Sequence, residues 1–132
     1  MSEENVEIVK RSIAAYSGRD FEALREVSHP DIELDWSASL GLEARVYQGR
    51  ERVLSFYENY FETFEEIDIQ PDRFIESGDW VVVPNTGFVR GRDGIETVAR
   101  STFAFEVQDG LIARVRLHQE TQQALDALGL SE

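Results

Sequence analysis

The sequence predicts an α+β domain in which a strongly curved antiparallel sheet wraps around N-terminal helices and forms a cone with an internal pocket. Three patterns support this prediction: helical periodicity in the first half, strand alternation in the second half, and a long hairpin centred on Asp109-Gly110. Helices segregated from an antiparallel sheet are typical of α+β folds. The 132 residues are enough for one domain with a core and too few for two, so we expect a single domain over residues 1–132.

The hairpin over residues 96–120 is the clearest of these patterns. Asp-Gly between two β-rich runs favours a tight turn, because glycine tolerates the positive φ that such a turn requires. Strict alternation gives each arm an apolar face, formed by Ser101, Phe103, Phe105 and Val107 on the first arm and by Ala113, Val115 and Leu117 on the second. We therefore expect the rest of the chain to cover this face of the sheet.

Helical spacing and capping residues predict the helices. Ser2 is expected to cap a first helix that stops near Gly18, and Asp20 to cap a second that Pro30 ends. A third helix, with a broad aromatic stripe, is expected from Arg50 to about Phe64. Thr121 is expected to cap a short tail helix.

The strands outside the hairpin are predicted from alternation and turn residues. Ile32 to Trp36 reads as the first strand, Ile67 to Ile75 as the second and Trp80 to Val89 as the third. Pro71 indicates an edge position or a bulge, because proline cannot donate a hydrogen bond to a neighbouring strand. The irregular stretch from Ser37 to Gly49 is predicted to form a lid or a rim.

Composition limits the possible partners. The net charge of −13 argues against nucleic acid and against an anionic membrane, since both need clustered Lys and Arg. The chain has no cysteine and only two, well separated, histidines, so we expect no metal site and no cofactor. It opens directly into an amphipathic pattern without an apolar run, which makes the cytoplasm the expected location.

Five segments resemble, in order and spacing, the SnoaL-like group of the nuclear transport factor two superfamily. They are residues 14–24, 29–33, 47–51, 78–83 and 105–112. The resemblance implies the cone fold and a homodimer formed through the outer face of the sheet. It does not imply one function, because this superfamily hosts enzymes, ligand binders and interaction modules on the same scaffold.

The catalytic sets of that superfamily are missing from the matching positions. Ketosteroid isomerases use a tyrosine, a carboxylate base and a protonated acid, which fall here on Ser12, Trp36 and Phe103. Limonene-type epoxide hydrolases use an Arg-x-Asp sequence, which does not occur in this chain. The resemblance therefore predicts a fold without supplying an active site.

The remaining candidates for acid–base chemistry are His118, with Asp35 or Arg100 in support. His118 titrates near neutral pH and comes late in the last strand, where it is expected at the pocket mouth. The simpler interpretations are that His118 caps a strand end and that Arg100 pairs with a neighbouring acid such as Glu96. Asp35 is displaced by one residue from the base position, which sends its side chain to the other face unless the strand bulges.

An apolar pocket for a small hydrophobic molecule is the main functional expectation. Its predicted wall consists of Tyr16, Trp36, Phe56, Tyr60, Val82, Phe88, Phe103, Phe105 and Leu117. Two functions remain open: an acid–base enzyme that isomerises, cyclises or adds water, and a binding or interaction module without chemistry. A third possibility is a filled core that serves only as a dimer scaffold.

Overall fold

The computed structural model describes residues 2–39 and 44–129, and these contain four helices and seven strands. The helices are α1 (Ser2–Ser17), α2 (Phe21–Val27), α3 (Arg50–Thr63) and α4 (Thr121–Ala127). The strands are β1 (Ser28–Asp35), β2 (Val46–Gln48), β3 (Phe64–Pro71), β4 (Ile75–Ser77), β5 (Trp80–Gly91), β6 (Glu96–Gln108) and β7 (Leu111–His118). No helix in the described residues is long and apolar enough to cross a membrane.

All seven strands belong to one curved sheet, which is mixed rather than purely antiparallel. Its strand order is β2-β1-β7-β6-β5-β3, and β4 also pairs with β5. The β1–β7 pair is parallel, which corrects the sequence-based prediction. A parallel neighbour requires a crossover instead of a hairpin, and the chain between β1 and β7 supplies one that includes α3.

The predicted hairpin is confirmed, except that a register shift near its turn places Ile112, and not the predicted Ala113, opposite Val107 and in the core. Asp109 and Gly110 both have positive φ, 54° and 76°, as a tight two-residue turn requires. In the register of β6 and β7, Phe103 lies opposite Leu117 and Phe105 opposite Val115. Residues directly opposite each other share a face of the sheet, so these apolar side chains form one continuous surface.

That inner face is covered by α1, α2 and α3, as the sequence predicted. Phe103 is 8% exposed and Phe105 4%, and both belong to a core shared with Val9 of α1 and Val53 of α3. The outer face carries a smaller second core, in which Ala124 and Leu125 of α4 pack on the sheet. The cap of α4 is Glu120 in a capping box with Gln123, not Thr121.

The remaining differences from the sequence-based elements have local causes. Pro30 lies inside β1 instead of ending α2, at an irregularity of the β1–β7 register where no ladder hydrogen bond is required of it. The predicted strand from Ile67 to Ile75 is two strands, since β3 and β4 pair with different parts of β5. Pro71 ends the edge strand β3.

Candidate functional site

Two adjoining cavities lie between the inner face of the sheet and the helices. The inner one has a volume of about 30 Å³, and Ser12, Tyr16, Trp36, Tyr57, Phe103 and Phe105 are among its lining residues. The outer one has a volume of about 210 Å³. Four residues line both cavities: Tyr16, Trp36, Ile69 and Phe103. These four side chains therefore form the boundary between a small aromatic hollow and a larger opening.

Ring contacts hold Trp36 in this boundary. Its indole stacks on Phe103 with centroids 5.8 Å apart, and it meets Phe56 and Tyr60 edge-on at 5.5 Å and 6.0 Å. The backbone N–H of Trp36 donates to the carbonyl oxygen of Arg45 at 2.9 Å. Such aromatic pairs each add about 0.5–1.5 kcal/mol beyond area burial, so the indole orientation is well determined.

The indole N–H of Trp36 is a buried donor that finds no acceptor among the described residues. The residue is only 6% exposed, and its Nε1 has no hydrogen-bond partner within residues 2–39 and 44–129. Leaving such a donor unpaired costs free energy, because the group loses its bond to water on folding and gains nothing in exchange. The same burial closes this atom off from both cavities, so Trp36 lines them with other atoms of its side chain.

Three tyrosines surround the same region and stay protonated. Burial raises the pKa of Tyr16 well above its usual value, and the neighbouring Tyr60 and Tyr57 raise it further. Burial also raises the pKa of Tyr57 and that of Tyr60. Their hydroxyls are therefore hydrogen-bonding groups at physiological pH and not phenolate bases.

The outer cavity has a polar wall on β5 and β6. Asn85 is 1% exposed and lies opposite Ser101, whose Oγ donates to its Oδ1 at 3.3 Å. The Asn85 amide donates in turn to the carbonyl oxygen of Val83 at 3.1 Å. Gly87 follows on the same face, and its missing side chain leaves room there, since a Cβ would meet Ile69 Cδ1 no closer than 3.5 Å.

Six of the nine predicted wall residues line these cavities: Tyr16, Trp36, Tyr60, Phe103, Phe105 and Leu117. Phe56 is buried behind Trp36, where it packs on Tyr47 at 4.5 Å. The predicted inner placement of Val82 and Phe88 is wrong. Val82 lies opposite Ala104 in the core under α4, and Phe88 is 45% exposed beside Val98 on the outer face.

His118 and Asp35 lie on the outer face, which corrects the expected place of His118 at the pocket mouth. His118 is opposite Thr102, whose hydroxyl is 2.9 Å from that of Thr121, the first residue of α4. Asp35 is opposite Arg116. Burial lowers the pKa of His118, the nearby charge of Arg116 lowers it further, and Asp35 opposes both. The charge of Asp35, which was expected in support of His118, thus acts on it, but both residues lie on the outer face of the sheet.

Arg100 borders the outer cavity, yet its side chain is 79% exposed and its Nη2 lies 3.5 Å from a carboxylate oxygen of Asp72. The expected partner, Glu96, instead meets Arg90 at 3.4 Å. Arg100 therefore reaches toward solvent and not into the inner cavity. No group of three or more metal-ligating side chains occurs in the described part of the chain.

Sequence reasoning missed Ile69, Asn85 and Gly87 as wall residues. The alternation of β6 contained the necessary information, because Ser101 and Ala99 lie on the Phe103 face and pair with Asn85 and Gly87. In β5 the same information is missing. Val81-Val82-Val83 are three apolar residues in succession, and such a run does not show which of them face inward.

A helix-covered curved sheet with an internal cavity is the architecture of the NTF2-like, or cystatin-like, proteins. An NTF2-like protein of unknown function from Burkholderia pseudomallei is 23% identical, with 96% of this chain and 97% of that chain covered and a TM-score of 0.80. TerC, crystallised with polyporic acid, is 24% identical over 96% of this chain and 98% of its own, with a TM-score of 0.77. A putative polyketide cyclase from Sinorhizobium meliloti is 26% identical over 85% of this chain and 94% of its own, with a TM-score of 0.68.

The family follows from the sequence itself. The model of the SnoaL-like domain matches residues 9–115, and the chain belongs to this family. A comparison with curated protein sequences gives no significant match. The resemblance drawn from the sequence motifs is confirmed.

Proposed function

We propose that this protein binds a small, uncharged, largely apolar molecule across the inner and outer cavities. The observation that carries the proposal is the boundary of Tyr16, Trp36, Ile69 and Phe103, which has an aromatic hollow on one side and, on the other, a larger opening with polar groups on β5 and β6. Ligand pockets in proteins have this composition, with apolar walls and a few polar groups that fix orientation. TerC, a protein of the same fold, was crystallised with polyporic acid.

Binding is favoured over proton abstraction by the chemistry of the wall. The residues described around the inner cavity include no carboxylate and no imidazole, and the raised pKa values of Tyr16 and Tyr57 keep their hydroxyls protonated. The predicted acid–base groups His118 and Asp35 lie across the sheet. An isomerase, cyclase or hydrolase activity is the second candidate; the likeness to a putative polyketide cyclase favours it, and Arg100 is the predicted group that borders the outer cavity.

The proposal is tested by titrating the protein with 1-indanone, a neutral bicyclic ketone, while following backbone amide shifts and ligand mass. We expect saturable binding, with shifts clustered on β5, β6 and α1. A Gly87→Leu variant should weaken binding at least tenfold, because its side chain grows into the outer cavity without backbone strain. Val98→Leu, at a 62% exposed outer position, is the matched control and should bind normally. Equal affinity in all three proteins contradicts the proposal, and a change in ligand mass favours an enzyme.

We also propose that the protein is a homodimer through the outer face of its sheet. Ile95, Val98 and Phe88 are 64%, 62% and 45% exposed on neighbouring strands or their turn, and large apolar side chains grouped in this way are typical of interaction surfaces. Light scattering after size-exclusion chromatography should give a mass of two chains, and Val98→Glu should give one. A monomeric wild-type protein at high micromolar concentration overturns this proposal.

A further inference from the structure

A hydrogen-bonded polar pair lies on the sheet wall of the outer cavity. Asn85 of β5 and Ser101 of β6 are directly opposite each other, on the face of the sheet that carries Phe103, and both line this cavity. The next pair on the same face, Gly87 and Ala99, also lines it and has no side-chain atom beyond Cβ. A ligand that lies over Gly87 and Ala99 therefore reaches the polar pair beside them.

The contacts of Asn85 determine which end of its amide meets Ser101. Its Nδ2 donates to the carbonyl oxygen of Val83 at 3.1 Å, and a carbonyl oxygen can only accept, so Oδ1 is the end that faces Ser101. The Ser101 hydroxyl donates to this Oδ1 at 3.3 Å. Because a hydroxyl has one proton and two lone pairs, Ser101 is left with acceptor capacity. Asn85 is 1% exposed whereas Ser101 is half-buried, so a ligand meets the pair at Ser101.

We propose that Ser101 is the ligand-anchoring residue of the outer cavity, that Asn85 is its positioning residue, and that the pair selects neutral apolar molecules carrying a hydroxyl group. This inference rests on the proposed binding function. A ligand hydroxyl can donate to Ser101 Oγ while Ser101 still donates to Asn85. A ketone can only accept, so it gains a bond from Ser101 at the cost of the bond that Asn85 receives. A hydrocarbon of the same shape gains no hydrogen bond.

Three bicyclic probes of nearly equal shape test the inference: indane, 1-indanone and 1-indanol. In the wild-type protein we expect 1-indanol to bind about fivefold more tightly than either of the others, as one net hydrogen bond would give. In Ser101→Ala this preference should fall to about twofold or less, because the acceptor is gone. Thr86→Val is the matched control, since it removes a hydroxyl from the residue next to Asn85, on the opposite face of β5, and it should keep the preference.

Asn85→Ala tests the positioning role separately. Without Oδ1 the Ser101 proton is free to be donated to a ketone, so 1-indanone should gain about fivefold on indane while 1-indanol keeps its advantage over indane. The space left by the shorter side chain changes the three probes alike, so the ratios between them isolate the hydrogen bond.

The orientation of bound 1-indanol is a measurement that needs no substitution. The boundary of Tyr16, Trp36, Ile69 and Phe103 should hold the apolar end of the ligand, and the hydroxyl should lie at Ser101. The proton on the hydroxyl-bearing carbon should then show nuclear Overhauser contacts with the Ala99 methyl group, two residues from Ser101 on the same face. Should Ser101→Ala fail to fold, this contact still decides the matter.

The outcomes separate this inference from the binding proposal. If indane and 1-indanol bind equally to the wild-type protein, the anchoring role is refuted and the binding proposal stands. A preference that survives in Ser101→Ala, or is lost in Thr86→Val, also refutes it, as does a bound 1-indanol whose hydroxyl-bearing carbon lies at Tyr16. An unchanged ratio of 1-indanone to indane in Asn85→Ala refutes the positioning role. If none of the three probes binds, the inference and the binding proposal both fail.

Discussion

Replacing Phe103 by leucine should join the two cavities and change what the protein binds. Phe103 stacks on Trp36, meets Phe105 edge-on at 6.1 Å and lines both cavities. The inner and outer cavities have volumes of about 30 Å³ and 210 Å³ in the wild-type protein. Removing part of the ring from the boundary between them should open the inner cavity to the outer one. Phe103→Leu should therefore admit a ligand longer than the wild-type site accepts.

The cost in stability can be worked from the same contacts. Leucine has three fewer side-chain carbons, and at about 0.8 kcal/mol for each buried carbon the loss of transfer free energy is about 2.4 kcal/mol. The two lost ring contacts, with Trp36 and Phe105, add about 1–3 kcal/mol, and the contacts that leucine keeps, together with partial collapse of the site, offset much of that. We expect the free energy of unfolding to fall by about 2–3 kcal/mol, measured by urea denaturation.

Phe61→Leu is the control. Phe61 is 3% exposed and packs on Tyr16 and Phe21 at 5.0 Å and 5.5 Å, but it is not among the residues lining either cavity. The two variants should lose similar stability, while only Phe103→Leu gains affinity for 2-benzylindanone, a probe one ring longer than 1-indanone. The same gain in both variants, or a loss below about 0.5 kcal/mol for Phe103→Leu, would refute the placement of Phe103 in the boundary.

Three further outcomes follow from the structure. Because burial lowers the pKa of His118, its stabilising contribution is present above the ordinary value of about 6.5 and is lost as pH falls through the lower folded-state value, so His118→Gln should lessen the drop in urea midpoint between pH 7 and pH 5. Because burial raises the pKa of Tyr16 and Tyr57, stability should hold up to about pH 10 and fall above it, with their ionisation at 295 nm appearing only on unfolding. Asp20→Ala removes the side-chain cap of α2, whose Oδ1 accepts from the Ala23 N–H at 3.1 Å, and should cost about 1 kcal/mol, whereas Asp20→Asn should cost little.

The sequence predicted the elements whose causes are local. Asp109-Gly110 sets its own turn, and the alternation of the hairpin arms identified the buried face before any contact was known. Asp20 likewise marks the start of α2 by its own hydrogen bond. In each case a residue and its near neighbours determine the backbone conformation, so a single sequence is sufficient to predict the element.

Errors arose where the determining contact is distant or the pattern is ambiguous. Whether β1 runs parallel or antiparallel to β7 depends on how the chain crosses between them. The residues of β1 do not indicate this direction. The valine run in β5 is apolar on both faces because both faces are covered, so it does not show that Val82 faces the outer core. The alternation of β7 groups His118 with Arg116. A place at the pocket mouth would require a break in the alternation between these two residues, and the register with β6 is continuous there.

Trp36 lines both cavities at the end of β1, so the residue type at this position affects what the site can do. In the resemblance to ketosteroid isomerases this position corresponds to the carboxylate base, and here it holds an indole that can only donate. The alternation of β1 sends the neighbouring carboxylate, Asp35, to the outer face opposite Arg116. The same scaffold position thus carries an uncharged indole, while the carboxylate next to it in the sequence lies on the outer face. The substitution Trp36→Asp tests whether a carboxyl group at this position changes what the cavities bind. It should bury an unpaired carboxyl, raise the pKa of that group, and weaken binding of 1-indanone, because the cavities lose the aromatic ring that packs on Phe56, Tyr60 and Phe103.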